Sequence, residues 1–121
     1  MPNYKDLEIY QEALKLSLTV HRLSLELPAF EKYEQGSQIR RSSKSIKDQI
    51  AEGYGRRKYK ADFIKFLIYS QGSCDECLSQ IETLAMLYPD KPEWKELINP
   101  CIILGKKINN FITYVKNNWR T

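Results

Sequence analysis

Four stretches of the chain carry the same apolar rhythm, in alternating steps of four and three residues. Ile9, Ala13, Leu16, Val20, Leu23 and Leu27 mark the first. Ile39, Ser43, Ile46, Ile50 and Gly53 mark the second. Phe63, Leu67, Ser70, Cys74, Cys77, Ile81, Leu84 and Tyr88 mark the third, and Leu97, Cys101, Leu104, Ile108, Phe111 and Val115 the fourth. A mean step of about 3.5 residues keeps one seam on one side of an α-helix, and that seam must be buried against other helices. With five Gly and five Pro in 121 residues, there is little material for a strand-rich fold with many turns. The pattern therefore predicts an all-α chain. The connections are short, which makes neighbours antiparallel, so the expected architecture is an up-down-up-down four-helix bundle forming a single domain over residues 1–121. Pro28 should stop the first helix, Gly53-Tyr54-Gly55 the second, and Pro89 and Pro92 bracket the turn after the third. Pro100 should kink the fourth helix or mark its start. The first and third helices should be the longest.

The seams leave apolar residues over. Leu7, Leu14, Leu18 and Leu25 form a second stripe on the first segment. Ile64, Phe66 and Ile68 lie off the third seam, and Ile98, Ile102 and Ile112 off the fourth, with Tyr114 and Trp119 nearby. A lone bundle needs one stripe per helix, so a second predicts association of copies through their helix faces. No apolar run approaches the roughly 18 residues of a bilayer span. The first residues carry no apolar leader, so a cytoplasmic location with its three cysteines reduced is expected.

Charge is distributed unevenly. Between Ser37 and Lys60 stand eight cations, Arg40, Arg41, Lys44, Lys47, Arg56, Arg57, Lys58 and Lys60, against two anions, Asp48 and Glu52. The remainder holds eleven cations and thirteen anions, so this fifth of the chain exceeds the whole net charge of +4. Such asymmetry points to a polyanionic partner. At 100° per residue Arg40, Lys44 and Lys47 share a stripe beside the second seam, while Asp48 and Glu52 lie nearer Arg41, with Glu52 and Arg41 as expected partners. Tyr54 and Tyr59 are interleaved with the later cations and could stack on bases. Several cations in register give affinity and salt dependence without sequence readout, so RNA or DNA binding through these eight residues is the expectation. The alternative is an adaptor whose basic face docks an acidic protein.

Other motifs carry less. Cys74-Asp75-Glu76-Cys77 lies inside a helical seam with no strand before it, where cysteine acts as a small apolar residue rather than a redox pair. A zinc site would need Cys101 and His21, the only histidine, as further ligands. His21 has no adjacent carboxylate or second histidine and should sit on a surface or in a groove. Ser42, Ser43 and Ser45 have no base to activate them. Gly53-Tyr54-Gly55-Arg56 is too short for a nucleotide-binding loop. The expectation is a non-enzymatic protein with no metal and no cofactor.

With the second and third helices placed, a longer pattern is visible. Gln38-Ile39-Arg40-Arg41-Ser42-Ser43, Ser45-Ile46 and Ile50-Ala51-Glu52-Gly53 are followed by Gly55-Arg56-Arg57 and Asp62-Phe63-Ile64-Lys65-Phe66-Leu67. Gln71-Gly72-Ser73, Glu76 and Gln80-Ile81 complete it. This resembles the four-helix-bundle proteins encoded in intervening sequences of bacterial 23S ribosomal RNA genes, over about residues 6–88. The resemblance implies a homopentamer, often a tapered barrel, and no catalytic residues. It also implies a relation in fold to the accessory variability protein of diversity-generating retroelements, which pairs with a reverse transcriptase and nucleic acid. The family's paired arginines fall on Arg40 and Arg41, its Glu-Gly on Glu52-Gly53, and its later arginines on Arg56 and Arg57. Departures are Tyr33-Glu34-Gln35-Gly36 where Tyr-Gly-Leu is usual, Cys77 for Leu and Leu78 for Glu. Together the residues and the resemblance suggest an oligomeric scaffold that binds structured RNA.

Overall fold

The computed structural model describes residues 2–120; Met1 and Thr121, the ends of the domain expected over 1–121, lie outside the described residues. A 3-10 turn at Tyr4–Asp6 leads into α1 (Glu8–Ser24), the single-turn α2 (Ala29–Lys32), α3 (Gln35–Gly55), α4 (Lys60–Leu87), the single-turn α5 (Glu93–Glu96) and α6 (Ile98–Asn118). The described residues contain no strand, and the long helices α1, α3, α4 and α6 pack into an all-α four-helix bundle. None is long and apolar enough to cross a membrane.

The core follows the seams. Ile9, Ala13, Leu16, Val20, Leu23 and Leu27 are buried, as are Ile39, Ile46 and Ile50, and Phe63, Leu67, Cys74, Cys77, Ile81 and Leu84. Cys101, Leu104, Ile108 and Val115 close the fourth side. Burying each large side chain contributes about 1.5–3 kcal/mol, so the seams supply most of the driving force. Ile112, expected off the seam, is buried. Phe111, expected on it, is half-buried. Near its end α6 presents a wider arc, where Phe111 and Trp119 meet the Phe63 ring at 6.0 and 5.1 Å between centroids. Of the second stripe, Leu18, Leu25 and Ile68 are exposed, together with Tyr69, Ile103 and Tyr114 outside it.

Helix ends depart from expectation in instructive ways. α4 is the longest at 28 residues, but α1, with 17, is the shortest of the four. Its last seam residue, Leu27, is reached through tight turns after Ser24, because the chain is already leaving the helix ahead of Pro28. α3 ends at Gly55, within the expected Gly53-Tyr54-Gly55 stop, but no glycine there has positive φ. Gly53 is also a point of close approach between α3 and α4: an added Cβ would lie 3.0 Å from Phe66 Cβ and 3.3 Å from Phe63 O. Pro100 falls in the first turn of α6, where its missing N–H costs no helical bond.

Polar side chains set the register of α3 on α4. Ser42 Oγ donates to Gln80 Oε1 at 2.6 Å, Ser45 and Ser73 hydroxyls pair at 2.9 Å, and Ser70 Oγ donates to Ile46 O at 2.7 Å. Partner numbers on α4 fall as those on α3 rise. The three serines without a base thus serve packing, Ser43 Oγ donating to Arg40 O within its own helix. The α1–α6 contact is thinner and carries Lys107, whose ammonium reaches Glu8 at 2.6 Å and Glu12 at 2.8 Å. At the other end, Trp94 of α5 is buried and Tyr88 Oη donates at 2.8 Å to the buried carboxylate of Glu31.

Candidate nucleic-acid interface

α3 packs against α1 on one side and α4 on the other, which leaves an outward ridge of Gln38, Arg41, Lys44, Asp48, Glu52 and Arg56, all exposed. The ridge is therefore not uniformly basic. Arg41 and Lys44 stand toward its start, two acids follow, and a second basic group begins at its end and runs through the connection into α4.

Only some of the eight cations are free to meet a partner. Arg40 is not. Its side chain is half-buried, with Nη1 donating to Ser24 Oγ at 2.9 Å and Nη2 to Lys32 O at 3.0 Å. Gly36, one turn earlier, makes the room: a Cβ there would sit 3.1 Å from Arg40 Nη1. Arg40 is thus a clamp between the end of α1, α2 and α3. Lys47 is half-buried and paired with Asp48 at 2.7 Å, so it does have a local anion. Glu52 is not the partner of Arg41, which stands three turns away, roughly 16 Å along the axis. Glu52 instead holds Arg56 at 3.3 Å, one turn on, and Asp62 approaches the same guanidinium at 3.8 Å.

Arg40 has no acid partner among the described residues, and neither do the remaining cations. Among the described residues no carboxylate lies within ion-pair distance of Arg41, Lys44, Arg57, Lys58 or Lys60. Arg57 is half-buried and fixed: its guanidinium lies over the Tyr54 ring, 4.1 Å from the centroid, and Nη1 donates to Tyr54 O at 2.9 Å. That covers Tyr54, which is buried edge-on against Phe63 and is not open to bases as expected. Tyr59, 63% exposed, is open, with Lys58 Nζ 5.9 Å from its ring.

Two residues of this region escape charge counting because they come from the far end of the chain. Trp119 Nε1 donates to Arg57 O at 3.2 Å, and with Arg120 it closes a concavity of about 330 Å³ whose other walls are Gly55, Arg57 and Lys58. Trp119 follows Phe111 and Val115 at steps of four, a spacing that sets it on their face of the helix rather than with the residues left off the seam, where it was expected.

The other candidates form no reactive set. Among the described residues no group of three or more His, Cys, Asp or Glu is placed to hold a metal ion. Cys74, Cys77 and Cys101 are free and buried, with the Sγ atoms of Cys74 and Cys101 3.9 Å apart. The contact with Cys101, together with burial, pushes the Cys74 thiol far above its ordinary value. For Cys101 the bond from Cys74 favours the thiolate, but Cys77 and burial outweigh it and push the thiol up to about 12. Unactivated thiols of this kind are packing groups. His21 is half-buried, and its Nδ1 has no hydrogen-bond partner. A groove of about 650 Å³ runs between the end of α4 and α5, lined in part by Met86, Lys91, Lys95 and Ile98.

Residues 5–110 match the model of a protein family described as 23S rRNA-intervening sequence protein. No curated protein matches the chain.

Proposed function

The chain belongs to the 23S rRNA-intervening sequence protein family, and from that premise we propose that it is a non-enzymatic, self-associating scaffold that binds nucleic acid, structured RNA above all. The observation that carries the reading is the set of unneutralised cations on one run of chain, Arg41 and Lys44 on α3, Arg57 and Lys58 in the turn to α4 and Lys60 at its start. Cations without acid partners are those that can exchange counterions for phosphates. Their neighbours Lys47 and Arg56 hold the local acids, so the free ones are not screened by them. Phosphate contacts of this kind position a backbone and carry no sequence code, which suits recognition of shape. Exposed Leu18, Leu25, Ile68 and Ile103 supply the faces for self-association, and a ring of five copies, implied by the family resemblance, would repeat the basic surface and multiply a weak contact.

Fluorescence anisotropy with folded RNA, unpaired RNA and DNA tests the reading, with light scattering on the same sample for the molar mass. Binding should weaken steeply with salt and should fall at least tenfold in R41E/K44E/K58E/K60E. No binding at about 50 mM salt, or equal binding by the variant, would refute it. A protein complex that survives nuclease treatment, formed by a chain with no nucleic-acid affinity, would favour an adaptor docking an acidic partner, a reverse transcriptase among the candidates. A monomer at micromolar concentration would end the scaffold part of the proposal.

A further inference from the structure

We infer that the concavity between the end of α3 and the end of α6 seats one unpaired nucleotide, its phosphate on Arg57, Lys58 and Arg120 and its base against the Trp119 indole. The inference rests on the proposal of nucleic-acid binding and adds which form of nucleic acid this end of the bundle takes.

The site is held in place before any ligand arrives. Arg57 is stacked on Tyr54 at 4.1 Å and tied to Tyr54 O at 2.9 Å, and Trp119 is tied to Arg57 O at 3.2 Å. The two walls are therefore fastened to each other across the bundle. Among the described residues no acid neutralises Arg57, Lys58 or Arg120, and Glu52 and Asp62 are paired with Arg56. The mouth is open at Gly55, where even an added Cβ would meet nothing within 4 Å. A volume of about 330 Å³ exceeds what a bare phosphate fills and lies at the small end of ligand pockets. The dipole of α3 draws cations to its C-terminus, which would explain Arg57 and Lys58 by packing alone. It does not explain Arg120, which comes from the opposite end of the chain, or an indole beside it. Cations around an aromatic plane recognise a phosphate and a base face together, and in a duplex that face is already covered by its neighbours.

Trp119 reports on its own site. The chain has two tryptophans, and the other, Trp94, is only 1% exposed. The whole chain is titrated with a single strand of about ten nucleotides and with the same strand annealed to its complement, following tryptophan emission and anisotropy together. The single strand should quench the emission and bind at least fivefold more tightly than the duplex. K58Q/R120Q, whose side chains make no hydrogen bond within the described residues, should abolish the quench and weaken single-strand binding about tenfold. W119L should lower single-strand affinity by a similar factor and leave duplex affinity unchanged. Binding without quenching, equal quenching by the duplex, or an unaltered K58Q/R120Q would overturn this site while leaving nucleic-acid binding elsewhere on the surface intact. Failure of both strands to bind would overturn it along with the broader proposal.

Discussion

Gly53→Ala and Gly72→Ala make the same chemical change in two long helices and should have opposite effects. At Gly53 the new methyl would lie 3.0 Å from Phe66 Cβ, 3.3 Å from Phe63 O and 3.4 Å from Phe63 Cδ1. Carbon atoms prefer about 3.5–4.0 Å, and two of these three atoms cannot swing aside, being a Cβ and a backbone oxygen of α4. The helices must part, at about 1–3 kcal/mol for an overpacked contact. Against that, alanine in a helix interior gains about 1 kcal/mol over glycine. At Gly72, in mid-α4, an added Cβ meets nothing within 4 Å, so only the gain remains. The propensity term is common to both variants and cancels in their difference, which leaves the packing term of about 1–3 kcal/mol. Urea unfolding followed by helical circular dichroism measures it, and each kcal/mol corresponds to about 3–5 °C in Tm for a chain of this size. G72A should be more stable than the natural chain and G53A less. A G53A protein within about 0.5 kcal/mol of G72A would refute the idea that glycine is required there for close helix approach.

Three further outcomes are expected. R40M, which removes the bonds to Ser24 and Lys32, should lower stability by about 1–3 kcal/mol and leave the salt dependence of nucleic-acid binding unchanged; a loss of salt dependence would return Arg40 to the interface. Cys74 and Cys101, both with raised thiol pKa, should resist alkylation at about pH 8 until the chain is unfolded, and rapid reaction of the native thiols would contradict their burial. Lys107, chiefly through its bond to Glu12, is raised above its ordinary 10.5, and Glu8, chiefly through its bond from Lys107, is held below its ordinary 4.5. Their contribution is therefore full between those two values, lost as pH falls through the lowered Glu8 value and lost as pH rises through the raised Lys107 value. K107M should accordingly destabilise at neutral pH and converge with the natural chain as pH falls through the lowered Glu8 value, followed by thermal denaturation, whereas a gap constant with pH would show that the ion pairs contribute nothing.

The bundle was legible because burial leaves a period in the sequence. The seam residues of α1, α3 and α4 sit inside almost without exception. Commitments made by side chains are not periodic, and there the sequence misled. Spacing put Arg40 beside Lys44 and could not show that Gly36 opens a pocket into which the guanidinium turns. Tyr54 and Tyr59 look alike as aromatic residues among cations, but one lies under Arg57 and the other faces outward. Glycine at Gly53 resembles a helix stop, and only the approach of α4 shows that its missing side chain is needed for packing. Trp119 and Arg120 join Arg57 and Lys58 across more than half the chain, a proximity that no local pattern records.

Free cations, not cations in general, should carry the nucleic-acid contact. The most direct measurement compares log affinity against log salt for the natural chain, for R41Q/K44Q/K58Q/K60Q and for K47Q/R56Q. Each lost phosphate contact should lower the slope by about 0.7–0.9, so the first variant should lose about 3 units and the second almost none. Equal losses in the two variants, or a larger loss in K47Q/R56Q, would contradict it.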